Sequence, residues 1–217
     1  MNFLLERVLD PTSEPVTVAE AKTHMRVEIS DDDTYIETLI TVAREWVEDY
    51  TGRALYDQIW RLTLTDGFAN PETDENTTTP IYTGAFTEGA KGVLLRKSPV
   101  LALVGIISVD SAGTETVLDT ADYQLLEADS KWPRLKANTG STFGGGTLKV
   151  TYRAGFADRT GSPTEGAERV PGLFKHAIKM LVAHYYENRE LVGPSMSEIP
   201  MGVTYLLSMQ RSELGVA

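Results

Sequence analysis

The chain has 217 residues, with 31 Asp and Glu against 20 Lys and Arg, a formal net charge of −11 and no cysteine. A chain of this length can bury a self-sufficient core in one or two domains, and the lack of cysteine excludes a disulfide scaffold, a thiolate zinc site and a Cys nucleophile. The acidic balance argues against gripping nucleic acid by phosphate neutralisation. Early charges at Glu6, Arg7 and Asp10, and no apolar run near membrane-spanning length, predict a soluble protein made in a cytoplasm.

Three zones follow in chain order. Residues 1–56 read as a helical hairpin. Thr17 followed three residues later by Glu20 is a capping box, opening a short helix to about Val27. Asp31, Asp32 and Asp33 open a longer helix with an apolar stripe at three-and-four spacing. Ile36, Leu39, Ile40, Trp46, Val47 and Tyr50 are its candidate core, and Gly52 is its stop.

From residue 57 to 156 the period changes to that of strands. Strands are predicted over residues 59–65, 100–109, 114–118, 123–127, 132–136 and 147–152, with a long loop over 66–92. Gly144, Gly145 and Gly146 mark the turn before the last strand.

A polar linker then begins the zone 157–217, and Pro171 takes a first helical position. Phe174, Ile178, Leu181 and Tyr185 are the candidate core of a long helix that ends at Gly193 and Pro194. An apolar tail follows Pro200. The fold class expected is α+β, a helical body with an inserted antiparallel β region.

A search for chemistry returns nothing catalytic, no metal site and no cofactor site. An EF-hand would need a ligand, a Gly and a bidentate Glu where Tyr35, Ile36 and Val42 stand, so the three aspartates read as helix-capping charges. His24, His176 and His184 lack zinc-protease spacing, and no Gly-x-Ser-x-Gly elbow is present. The triple glycine leads into a strand rather than a helix, unlike a phosphate cradle. The pairs Trp46/Tyr50 and Tyr185/Tyr186 lack the interleaved cations of a base-stacking platform.

The succession of residues 15–27, Asp31 to Asp33 and 36–53 resembles the opening hairpin of head–tail connector (adaptor) proteins of tailed bacteriophages. Residues 150–156, Val170, Pro171 and the helix carrying residues 181–189 extend the likeness, as do residues 199–203 with Leu206, Leu207 and Arg211. The resemblance implies a virion protein of the neck, without enzymatic activity or cofactor. It implies a ring, commonly of twelve copies, beneath the portal, extending the DNA channel and offering a platform to the next neck or tail protein. DNA would pass without specific binding, and no membrane is involved.

Carried onto this chain, the resemblance makes Met201, Val203, Tyr205, Leu206, Leu207 and Arg211 a portal-docking segment, with Tyr205, Leu206 and Leu207 as apolar anchors. A last helix folded onto its own subunit is the other reading of that segment. Twelve copies would hold about −130 charges, a field that lets DNA slide if it faces the channel. Alternatives are a stopper or tail-completion protein, a DNA-packaging accessory protein, and a small hydrolase using His184, Glu187 and a distant Asp.

Overall fold

A computed structural model describes residues 2–65, 93–138, 146–156, 169–189 and 201–211. The chain divides into two compact units: Met1–Asp10 with Gln58–Gly155, and Pro11–Asp57 with Phe156–Ala217. The architecture is α+β, with antiparallel sheets in the first unit and helices in the second.

The first unit contains eight strands among the described residues. They are β1 (Asn2–Leu9), β2 (Gln58–Thr65), β3 (Val93–Leu94), β4 (Val100–Val109), β5 (Glu115–Val117), β6 (Tyr123–Leu126), β7 (Arg134–Ala137) and β8 (Thr147–Ala154). One five-stranded sheet has the order β1-β2-β8-β4-β5 and a three-stranded sheet the order β3-β7-β6. Alternation decides which side is dry: Trp60, Leu62 and Leu64 on β2 and Leu148, Val150, Tyr152 and Ala154 on β8 are buried, and their neighbours in sequence are not.

Residues 2–9, grouped on sequence with the helical hairpin, instead form the edge strand β1. They show no clean period, because Phe3, Leu4, Leu5, Val8 and Leu9 put apolar side chains on both faces and the register shifts between Arg7 and Leu9. Only pairing with a strand more than fifty residues away reveals them. The loop expected over 66–92 lies outside the described residues, as do Gly144 and Gly145. Gly146 is required by geometry: its φ is 151° and a Cβ there would stand 2.1 Å from the Val109 carbonyl oxygen.

The second unit holds four helices among the described residues: α1 (Val18–Met25), α2 (Asp33–Thr51), α3 (Gly172–Glu187) and α4 (Met201–Ser208). The capping box forms as read. Glu20 N–H donates to Thr17 Oγ1 at 3.2 Å and Thr17 N–H to Glu20 Oε2 at 2.8 Å, and the Thr17 amide holds the Glu20 carboxyl below its ordinary range. Gly52 ends α2 in the left-handed conformation, φ 68°. Pro171 sits one residue before α3, as its cap. α3 stops at Glu187 rather than at Gly193 and Pro194, which lie outside the described residues. There Asn188 turns its side-chain amide back to the His184 carbonyl at 2.8 Å.

One apolar cluster unites the four helices. Ile36, Leu39, Ile40, Val47, Phe174, Ile178 and Leu181 are buried in it, and Trp46, Tyr50 and Tyr185 pack against it half-buried. Beneath α2 an ion pair is buried as well: Arg44 Nη1 lies 2.8 Å from Glu48 Oε2, both side chains 3% exposed.

Candidate functional site

The candidate site is α4 and the surface it lies on. The stretch from Met201 to Met209, one residue longer than α4, has apolar positions at 201, 203, 205, 206, 207 and 209 and can satisfy two faces at once, because residues four apart share a face. Val203 and Leu207 take the inner face and are fully buried in the helical core. Tyr205 and Met209 form the opposite pair, 76% and 68% exposed. Leu206 is half-buried between them, and nothing is described of the Met201 side chain. The expected anchor set is thus divided. Leu207 is not an outward anchor, since its i,i−4 partner Val203 commits that stripe to the subunit's own core.

Three polar contacts fix α4 in place. The Tyr50 hydroxyl donates to the Thr204 carbonyl at 3.3 Å, and Arg53 Nη1 donates to Gln210 Oε1 at 3.3 Å. The Arg211 guanidinium lies 5.3 Å from the Tyr50 ring centroid, and Tyr50 stacks on Trp46 at 5.0 Å with 12° between planes. Cation, phenol and indole form one layered stack. Arg53 also covers Phe156 at 5.0 Å and Phe174 at 5.9 Å, and burial pushes its guanidinium below the usual arginine range. Sequence reasoning did not single out Arg53 as a support for the C-terminal helix; a cation directly after a helix-ending glycine was the available signal.

The aspartate run behaves differently from its reading as capping charge. Asp32 occupies the cap position of α2 but makes no side-chain capping bond. Its Oδ2 accepts instead from the Tyr186 hydroxyl at 2.5 Å and from Arg189 Nη2 at 3.5 Å. Arg189 lies over both Tyr35, at 4.7 Å, and Tyr186, at 5.0 Å. Asp33 Oδ1 pairs with Lys22 Nζ at 2.7 Å, linking α2 to α1. The first turn of α2 therefore ties the helices together.

The histidines do not converge on one centre. The rings of His24 and His176 meet edge to face at 5.9 Å, whereas His184 lies against Tyr185 and Asn188. No cluster of three or more His, Asp or Glu suited to a metal ion occurs among the described residues. No described helix is long and apolar enough to cross a membrane.

These features sit on a fold already seen in phage-like particles. Residues 15–79, less than a third of the chain, match the family model "Phage gp6-like head-tail connector protein". This is the class the sequence resemblance pointed to. Over nearly its whole length the chain is similar in fold to a chain in the structure "Virion of native gene transfer agent (GTA) particle". There the TM-score is 0.69, with 24% identity over 96% of this chain and 95% of that one. It is also similar to chains in "Neck of empty GTA particle computed with C6 symmetry", TM-score 0.68, and "Neck of native GTA particle computed with C12 symmetry", TM-score 0.64. Both are 24% identical over 96% of this chain, and 95% and 94% of those chains are covered. No curated protein matches.

Proposed function

We propose that this chain is a structural head–tail connector of a phage-like particle. In this reading it assembles as a ring of twelve beneath the portal, continues the DNA channel and presents a platform to the next neck or tail protein. The observation that carries the reading is the succession of both units, over 96% of the chain, matching chains from particle necks. The family model on the opening hairpin supports it independently, and the six- and twelve-fold symmetries of those necks support a cyclic assembly of copies.

In this reading α4 docks on the portal through its outer face, Tyr205 and Met209 with Leu206 beside them. Val203 and Leu207 hold the helix on its own subunit, and Arg211 with Tyr50 sets its end. A tyrosine 76% exposed on a helix otherwise anchored in the core is an aromatic anchor awaiting a pocket. The protein acts by position, with no catalysis and no cofactor.

Co-sedimentation of the purified chain with the portal ring of the same particle tests the reading. A coaxial ring bound at one end of the portal is expected, lost with Tyr205→Glu. A chain that stays separate from the portal at micromolar concentration, or one that binds only a later neck component as a stopper would, contradicts it.

A further inference from the structure

Two arginines at the end of α4 differ from their neighbours in the helical unit. Arg44 has carboxylate oxygens at 2.7 and 2.8 Å, Arg189 has one at 3.5 Å and Lys22 one at 2.7 Å. Arg53 and Arg211 meet no carboxylate among the described residues. Arg53 is only 7% exposed. Its Nη1 donates to the amide oxygen of Gln210 at 3.3 Å, its guanidinium lies over Phe156 and Phe174, and its Nε has no hydrogen-bond partner. Arg211, the residue after Gln210, is exposed and lies over the Tyr50 ring.

A guanidinium taken out of water is costly unless a carboxylate faces it. Burial lowers the Arg53 guanidinium with no acid to offset it. For Arg44 burial acts the same way, and Glu48 and Glu14 outweigh it. An acid brought to Arg53 from outside therefore finds a cation already stripped of water and held between rings, where a charge-assisted bond is strong. The same helix end exposes Tyr205 and Met209, at 76% and 68%, and Tyr50 under Arg211 stacks on Trp46. Arginine, aromatic rings and methionine are the side chains that fill the centres of protein interfaces.

We propose that Arg53 and Arg211 together hold a carboxylate of the portal, on a segment whose apolar side chains meet Tyr205 and Met209. This rests on the docking reading above and names the chemistry of the partner's surface, an Asp or Glu flanked by apolar residues. A DNA phosphate would suit two guanidiniums. It brings no apolar side chain to Tyr205 and Met209, however, and a chain of net charge −11 repels the duplex.

Binding of the full chain to the portal ring of the same particle is measured by sedimentation, beside urea unfolding of the free chain. Arg211→Gln, on the surface, should leave unfolding unchanged and weaken binding at least about tenfold. Arg53→Met keeps an apolar stem and removes the charge. It should weaken binding as much, with a urea midpoint unchanged or higher, because the charge has no acid partner to lose. A lower midpoint, with binding that falls only as the folded fraction does, would mean that Arg53 merely props α4 and would overturn the inference.

Wild-type binding by both variants, with Tyr205→Glu still abolishing it, overturns the carboxylate contact and leaves the docking reading standing. No binding by the wild-type chain overturns both. A drop in the urea midpoint of the free chain on Glu213→Gln would assign the acid to the chain itself. Retention of a 30-base-pair duplex that Arg211→Gln abolishes would assign the anion to DNA. Either result overturns the inference.

Discussion

Arg44 and Glu48 form an ion pair inside the helical unit, 2.8 Å apart with each side chain 3% exposed. Glu48 uses its second oxygen to accept the Leu55 amide at 2.7 Å, and Arg44 donates from Nε to Glu14 at 2.7 Å. One charged pair thereby holds the segment before α1 and the chain leaving α2. Burial alone would push the Arg44 guanidinium down; Glu48 and Glu14 outweigh it and raise it.

Removing one partner strands the other in a dry site. Arg44→Met should therefore cost about 3–5 kcal/mol in urea unfolding, the range for breaking a buried pair. Glu48→Gln should cost less, because an amide can still accept from Leu55.

The two faces of α4 should separate stability from attachment. Leu207→Ala, in the core, is expected to lower unfolding free energy by about 2–5 kcal/mol. Tyr205→Ala, on the surface, should change it by no more than about 0.5 kcal/mol while abolishing co-sedimentation with the portal. Thermal melts and sedimentation on the same preparations check both.

The α1 cap can be tested alone. Thr17→Ala removes the acceptor for the Glu20 amide and should cost about 1 kcal/mol, read by chemical denaturation. Because Glu20 is held below its ordinary value of 4.5, its contribution is present above that pH and is lost as pH falls through the folded value.

His24 acts on the same, acidic side of the pH profile, beginning at a higher pH. Burial first, then the nearby His176 and Lys179, lowers it from 6.5. Below 6.5 the unfolded chain takes up a proton more readily than the folded one, so this contribution is full above pH 6.5 and falls as the pH drops toward the folded value. His24→Asn should flatten the fall in melting temperature between pH 7 and 5. An unchanged slope would remove His24 from the account.

What could be read from the residues follows from where the signals are local. The Thr17/Glu20 box, the stripe from Ile36 to Tyr50 and the alternation of β2 and β8 are short-range patterns, and each element stands where the pattern put it. β1 was hidden because its apolar residues fall on both faces and its partner is far along the chain. The buried role of Arg44 and Glu48 was hidden because a charged i,i+4 pair on a helix usually faces water. From Met201 to Met209 six apolar residues in nine positions left the inward face undecided, and only packing chose Val203 and Leu207 over Tyr205 and Met209. The link from Asp32 to Tyr186 spans 154 residues and carries no local signature.

The central claim, that this chain joins head to tail, is tested most directly by imaging particles assembled without it. The account predicts heads that carry a portal but no tail, with tails restored by the wild-type chain and not by Tyr205→Glu. Fully tailed particles in the absence of the chain would contradict it.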